Sequence, residues 1–418
     1  MSVLDRDREY VWHPYTQMKT APTPLFITRG QGVYLYTEDG RKLLDGISSW
    51  WVNIHGHAHP RLNQAIADQA KTLEHVIFAG ATHEPAVELA ERLVGILPAG
   101  LTRIFYSDNG STSVEVALKM AIQYWRNRGQ PARQRIVALH HAYHGDTVGA
   151  MAVSAPSIFT EAFSSLLFAV DRIDPFDADD HLQRHADRVA AVIVEPMLQG
   201  AGGMIMWPAG ALARVREACY RHGVLLIADE VLTGFGRTGR MFACEHASVT
   251  PDILCVSKAL TAGYLPLAAT ATTNAVYDAF LSDDRAKTFF HGHSFTANPL
   301  ACAVALASLD LIEEGNMLAR IARLERQLRD GLSPLAALPT VADVRVLGGV
   351  GVVEFTSDGG YLDSLGPRLY AEFLTRGLLL RPLGNVLYFM PPYVITDAEV
   401  TWALEQIADV CRRFASAC

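Results

Sequence analysis

The chain lacks any long run of one charge, although its 418 residues carry 36 lysines and arginines against 44 aspartates and glutamates. A protein that grips nucleic acid by its phosphates presents a basic stripe. With none visible and a net charge of −8, that class is disfavoured. Long apolar runs are missing too. Stretches such as 223–228 and 301–309 fall far below the roughly 18 residues a membrane span needs. The first residues, Met-Ser-Val-Leu-Asp-Arg-Asp, are polar and acidic, unlike a signal peptide. Cysteine is sparse. Cys219, Cys244, Cys255, Cys302, Cys411 and Cys418 are scattered without a Cys-x-x-Cys pair, which predicts structural thiols in a reduced, cytoplasmic protein. No internal repeat and no low-complexity linker is present.

Apolar material is plentiful: hydrophobic residues make up 50% of the chain and charged ones 19%, enough for a large core. Short runs rich in β-branched and aliphatic residues recur at 103–107, 135–139, 189–194, 224–228, 253–256 and 265–272. Their apolarity is continuous, not alternating, which predicts strands buried on both faces of a parallel sheet. Amphipathic stretches lie between them. One spans 112–128, with Val114, Leu118, Ala121, Ile122 and Trp125 on a single stripe. Thr112 and Glu115 have capping-box spacing, predicting a helix start just after Gly110-Ser111.

Strand and helix in alternation predict a doubly wound α/β domain. Beyond about residue 313 the texture changes to helix 316–331, strands 341–347 and 351–355, helix 365–376, strands 378–381 and 386–390, and a last helix capped by Thr396 and Glu399. The expected organisation is a large domain over 51–312 and a smaller α+β domain over 313–418, which the segment 1–50 joins through a hairpin at 32–45.

The chemistry begins with two strand ends. Asp229 closes one apolar run and Lys258 follows another, and in an α/β sheet the carboxyl ends of the strands share one cleft. A lysine among Val256, Ala259 and Leu260 is desolvated toward its neutral, nucleophilic form. An imine-forming amine and a carboxylate for a ring nitrogen are the two demands of pyridoxal phosphate. A surface lysine paired with a strand-end acid would look the same residue by residue, so a phosphate site must separate the two readings. Ser107-Asp108-Asn109-Gly110-Ser111, between a strand and a helix start, offers the unpaired amides that bind phosphate, and is also compatible with an ordinary turn.

Other features invite different readings. Gly234-Phe-Gly-Arg-Thr-Gly239 fits the dinucleotide pattern, yet its acids precede the glycines instead of following by about 20 residues. His55, His57 and His59 have no carboxylate or cysteine near them in sequence, and they read as loop histidines more readily than as metal ligands. Tyr143 lies in a post-strand loop where its ring can stack on a cofactor. The clusters 12–15 and Trp50-Trp51 are unusual for a surface, and Arg381 ends an apolar strand, suited either to a substrate carboxylate or to a structural acid.

Together, Asp229-Glu230, the Gly234–Gly239 run, Pro251-Asp252-Ile253, Ser257-Lys258-Ala259-Leu260 with Gly263, the 29-residue step from Asp229 to Lys258, and Asn298-Pro299-Leu300-Ala301 resemble the class-III pyridoxal-phosphate-dependent aminotransferases over nearly the whole chain. That resemblance implies the PLP-dependent transferase fold type I: a large domain with a mostly parallel seven-stranded sheet, plus a smaller α+β domain. It further implies that Lys258 forms the Schiff base and moves the proton, Asp229 meets the pyridine nitrogen, Gly110 and Ser111 hold the phosphate, and Tyr143 stacks on the ring. Asp146 and Glu195 order the site.

Trp12-His13-Pro14-Tyr15, Ser48-Ser49-Trp50-Trp51, Tyr143-His144-Gly145-Asp146 and Arg381-Pro382-Leu383-Gly384 are similar to the branch that moves an amino group from S-adenosylmethionine to 8-amino-7-oxononanoate in biotin synthesis. Other ω-amino-acid or lysine-donating transaminases are the alternative. By that likeness Tyr15, Trp50, Trp51 and Tyr143 shape a pocket shared by both substrates, and Arg381 takes the acceptor carboxylate. Gly292, His293 and Ser294 would come from the second subunit of a homodimer, with Ser294 touching the phosphate. That branch often reads His-Gly-Pro-Thr-Phe where this chain has His291-Gly292-His293-Ser294-Phe295, and the serine keeps the hydroxyl.

Overall fold

The computed structural model describes residues 1–357 and 360–416, so Cys418 lies outside the described residues. Its centre is a seven-stranded sheet in the order Leu101–Ser107, Ala268–Thr273, Ile253–Val256, Leu225–Asp229, Val189–Val194, Arg135–Leu139 and Val170–Ile173. Ala268–Thr273 runs antiparallel to both neighbours and every other pairing is parallel.

Why these segments become strands is visible in their two faces. Val137, Leu139, Val192, Val194, Leu226 and Ala228 belong to one buried cluster with the helices Glu84–Ile96, Ala209–Arg221 and Pro299–Glu314. The alternate residues Ile136, Ala138, Ile193, Ile227 and Ile253 belong to another with the helix Gly110–Asn127. Each fully buried aliphatic side chain contributes roughly 1.5–3 kcal/mol, so a strand apolar on both faces gains twice what a half-buried one does.

Two local expectations shift. The strand expected at 265–272 begins at Ala268, because Thr261 Oγ1 donates to the Leu265 carbonyl and Pro266 has no N–H for a ladder. The helix expected after Thr112 begins at Gly110. Asn109 is its cap, accepting from Thr112 N at 3.0 Å, while Glu115 instead accepts from Gly149 N and Ala150 N across the neighbouring loop. The edge strand Val170–Ile173 escapes the apolar pattern because Asp171 and Arg172 interrupt it.

Strands Val341–Leu347, Val350–Phe355 and Val386–Phe389 form an antiparallel sheet against the helices Met317–Leu332 and Asp397–Ser416. A second sheet joins distant parts of the chain: Lys42–Asp45 pairs in parallel with Leu378–Leu379. That strand was expected to run to Arg381, but it stops two residues earlier, and Arg381 turns away before Pro382. The same buried cluster holds Val33, Leu44, Ile47 and Trp51 beside Leu369, Phe373 and Tyr388.

Candidate active site

Five strand ends deliver side chains to a single cleft of about 820 Å³ at the carboxyl edge of the central sheet. Asp229 closes one strand, Lys258 follows the next by two residues, and Glu195 directly follows a third. Tyr143 and Asp146 come from the loop after Arg135–Leu139, while Gly110 and Ser111 open the helix after Leu101–Ser107. All of these line the cleft, together with Tyr15, Trp50, Trp51 and Arg381.

Asp229 is held on both oxygens. Oδ1 accepts from Val231 N at 3.1 Å and Oδ2 from His144 Nδ1 at 2.7 Å. Its sequence neighbour Glu230 turns the other way and binds Ala243 N and Cys244 N, so the acidic pair divides into one cleft carboxylate and one structural carboxylate. Nothing local in the sequence marks the role of His144, which becomes visible when the loop after one strand meets the end of another.

Lys258 is half-buried, at a left-handed φ of 42°, with its Nζ 4.9 Å from the Trp51 ring centroid. Burial depresses its pKa, opposed by the charges of Asp229 and Glu195 and assisted by the fully buried Arg237. Arg237, inside the glycine run, was not singled out from sequence. Glu195 accepts from Tyr143 N at 2.8 Å and Gly200 N at 2.9 Å. Burial pushes its pKa up to about 7, with Asp229 acting in the same direction and His144 against it.

The opposite end of the cleft is a cradle of backbone. Gly110 and Ser111 are the first two residues of an 18-residue helix, where amides are free and the dipole is positive. The Tyr143–Asp146 loop presses onto this start so closely that a Cβ on Gly145 would lie 2.0 Å from Ser111 Oγ, and Gly145 has φ 129°. Asp146 N donates to that same hydroxyl at 3.2 Å. A phosphate at the helix start, an aldehyde near Lys258 and a ring nitrogen toward Asp229 fit this donor set, so these residues suit pyridoxal phosphate.

The mouth is aromatic. Tyr15 Oη donates to Asp146 Oδ2 and lies 3.3 Å from Tyr143 Oη, and burial pushes the Tyr15 pKa up to about 12. The Arg381 guanidinium sits 4.3 Å from the Trp50 ring centroid and 6.0 Å from that of Tyr15. Phe159 and Tyr361, not foreseen from sequence, complete the wall. Trp12, by contrast, is exposed away from it. Gly292, His293 and Ser294 of the same chain do not line this cleft; His293 Nδ1 lies 3.3 Å from Asp108 Oδ2 at its margin.

Trp50 and Trp51 ride on an uncommon backbone. Ser48, Ser49, Trp50 and Trp51 have φ of 48°, 45°, 70° and 74°, one left-handed turn built without glycine. Such a conformation costs roughly 1–2 kcal/mol per residue. His55, His57 and the glycine run are held by contacts within the fold. His55 Nε2 is 3.1 Å from the Ser308 carbonyl, and His57 Nε2 is 2.9 Å from Asp45 Oδ2. Gly234–Gly239 is a turn locked under Tyr393 and Ile321.

The fold and cleft define a transaminase-like enzyme, and the comparisons agree: the family model Aminotransferase class-III matches residues 15–411, so the chain belongs to the class-III aminotransferases. Among curated relatives, the adenosylmethionine-8-amino-7-oxononanoate aminotransferase of Synechococcus elongatus is 50% identical, covering 96% of this chain and 98% of that protein. The protein of the same name from Geobacter sulfurreducens is 44% identical over 97% and 96%. The solved adenosylmethionine-8-amino-7-oxononanoate aminotransferase of Methanocaldococcus jannaschii superposes with a TM-score of 0.95 at 38% identity, covering 98% of each chain. A PLP-bound amine transaminase from an uncultivated Pseudomonas species gives 0.91 at 35% identity, covering 97% of this chain and 98% of that one.

Proposed function

We propose that this enzyme transfers the amino group of S-adenosylmethionine to 8-amino-7-oxononanoate, giving 7,8-diaminononanoate for biotin synthesis, with pyridoxal phosphate as cofactor. The observation that carries this reading is the aromatic mouth that shares one cleft with Arg381 and Lys258: flat walls suit an adenosyl group or an alkyl chain in turn, and a guanidinium suits a distal carboxylate. The names borne by relatives at 44–50% identity support it.

Bound in this cleft, pyridoxal phosphate supplies an aldehyde that condenses with amines and a ring that takes up the electrons left when a Cα proton departs. Lys258 would hold the aldehyde end through its amine and would serve as the base that moves a proton at Cα, a role suited to an amine whose pKa burial depresses. Asp229, oriented by His144, would hold a proton at the ring nitrogen. Gly110 and Ser111 would hold the phosphate through their helix-start amides, and Tyr143 would lie against the ring. Glu195 fixes the Tyr143 loop through the Tyr143 amide. Tyr15, Trp50, Trp51 and Asp146 shape the shared substrate space.

The same reading makes the protein a cytoplasmic homodimer in which the partner's loop brings the equivalents of Gly292, His293 and Ser294 to the phosphate. Residues 51–312 then form the cofactor-binding domain, while 313–418 with 1–50 form the smaller one. A stopped-flow half-reaction screen tests the donor. S-adenosylmethionine should bleach the visible band of the holoenzyme, and 8-amino-7-oxononanoate should restore it. Bleaching by lysine or ω-amino acids alone would instead assign the chain to another branch of the class.

A further inference from the structure

Four consecutive non-glycine residues in left-handed conformation need something to hold them there, and the chain provides it beneath the turn. Asp45, fully buried at the end of the strand Lys42–Asp45, accepts from Ser49 N at 3.0 Å, Ser49 Oγ at 2.7 Å and Ile47 N at 3.3 Å. His57 Nε2 donates a further bond to Asp45 Oδ2 at 2.9 Å, and its Nδ1 lies 3.1 Å from Asn53 Nδ2, so one ring links both ends of the turn. His57 is itself pinned, because its backbone pairs with Gly32 and its ring packs where a Cβ on Gly30 would lie 2.7 Å from its own Cβ. Above the clamp, Trp50 meets the Arg381 guanidinium and Trp51 donates to Tyr388 Oη at 3.1 Å while facing Lys258.

We propose that Asp45 and His57 are positioning residues for substrate selection: they hold the 48–51 turn left-handed and so aim Trp50 at Arg381 and Trp51 at Lys258. The inference rests on the reading of Trp50 and Trp51 as substrate walls. Neither clamp residue lines the cleft, so they act only through the turn. Ser49 is the link, since both its amide and its hydroxyl bind Asp45.

The test uses the dimeric holoenzyme. Asp45→Asn keeps the shape but turns an amino group toward one of its donors. The KM for 8-amino-7-oxononanoate, and its dissociation constant from the pyridoxal form, should both rise about tenfold, while kcat and the visible cofactor band change little. Adding Ser49→Gly supplies a residue that adopts positive φ without a clamp, so the double variant should return to within about threefold of wild-type KM. A side chain that merely supported packing would not be rescued by a backbone preference. An Asp45→Asn enzyme with unchanged KM, or a double variant no better than the single, overturns the proposal.

Should Asp45→Asn fail to fold, the His57 pair decides: His57→Ala should raise KM and His57→Gln, which retains a donor, should restore it, and equal KM values would refute the clamp. Trp50→Ala is measured in parallel. If it leaves both substrates' KM unchanged, the substrate-wall reading has failed; if it raises KM while Asp45→Asn does not, the clamp alone has failed.

Discussion

His144 Nδ1 donates to Asp229 Oδ2 at 2.7 Å, both side chains being buried at the base of the cleft. The bond fixes the orientation of the carboxylate and balances part of its charge. A buried hydrogen bond to a charged group contributes about 1.5–3 kcal/mol, or about 10–100-fold in an equilibrium. His144→Ala should therefore lower kcat and weaken retention of pyridoxal phosphate by that range. His144→Asn, which offers an amide donor near the Nδ1 position, should recover most of the loss. Equilibrium dialysis and steady-state rates check this, and full activity in the alanine variant would remove His144 from the site.

Lys258→Ala removes the amine on which the proposed chemistry turns. Loss of the proton carrier alone is expected to slow turnover about 10²–10⁴-fold. The fold should survive, since the Lys258 side chain makes no hydrogen bond among the described residues and its neighbours Ala259 and Leu260 carry the packing. Borohydride reduction followed by peptide mass analysis should label this lysine in the wild type and no residue in the variant. Activity above a few per cent of wild type would refute the assignment.

Substitution of Arg381 should separate the two half-reactions. A guanidinium that holds the distal carboxylate of the acceptor matters little to a donor lacking that group. Arg381→Ala should raise the acceptor KM about tenfold or more and alter donor deamination less than about threefold. Arg381→Lys should not restore the acceptor, because a lysine neither forms a fork nor stacks on Trp50 as Arg381 does at 4.3 Å. Equal losses in both half-reactions would assign Arg381 to maintaining the aromatic mouth.

How far these roles were legible in the sequence depended on whether the signal was local. Val189–Val194 and Ile253–Val256 match their apolar runs at both ends, because strands covered on two faces leave no polar residue to blur the limits. Lys258 followed from the end of Ile253–Val256, and Asp229 from the end of the apolar run before it. The His144–Asp229 bond spans 85 positions and has no local mark, and the buried charge of Arg237 was hidden inside a glycine pattern. Least legible was the 48–51 turn: Ser-Ser-Trp-Trp carries none of the glycine or asparagine that announces positive φ, and its conformation is imposed by Asp45 from below. The 292–294 loop was assigned by family resemblance to a partner's site, and within one chain it lies outside the cleft.

Glu195 gives stability a pH dependence of unusual sign. Its pKa is raised by burial to about 7 in the folded protein, whereas an unfolded glutamate titrates near the ordinary value of 4.5. Between those values the native state holds a proton that the unfolded chain has released. Stability contributed by this group is thus present below about pH 4.5, falls as pH rises toward about 7, and is level above it. The full difference is about 3 kcal/mol by linkage. Glu195→Gln removes the titration and also turns an amino group toward Tyr143 N or Gly200 N, so the variant should be less stable at every pH. The difference in unfolding free energy between wild type and variant, followed by urea titration from pH 5 to 8, should shrink as pH rises. A difference that stays constant or widens would mean that Glu195 is already ionised in the fold, held by its two backbone donors.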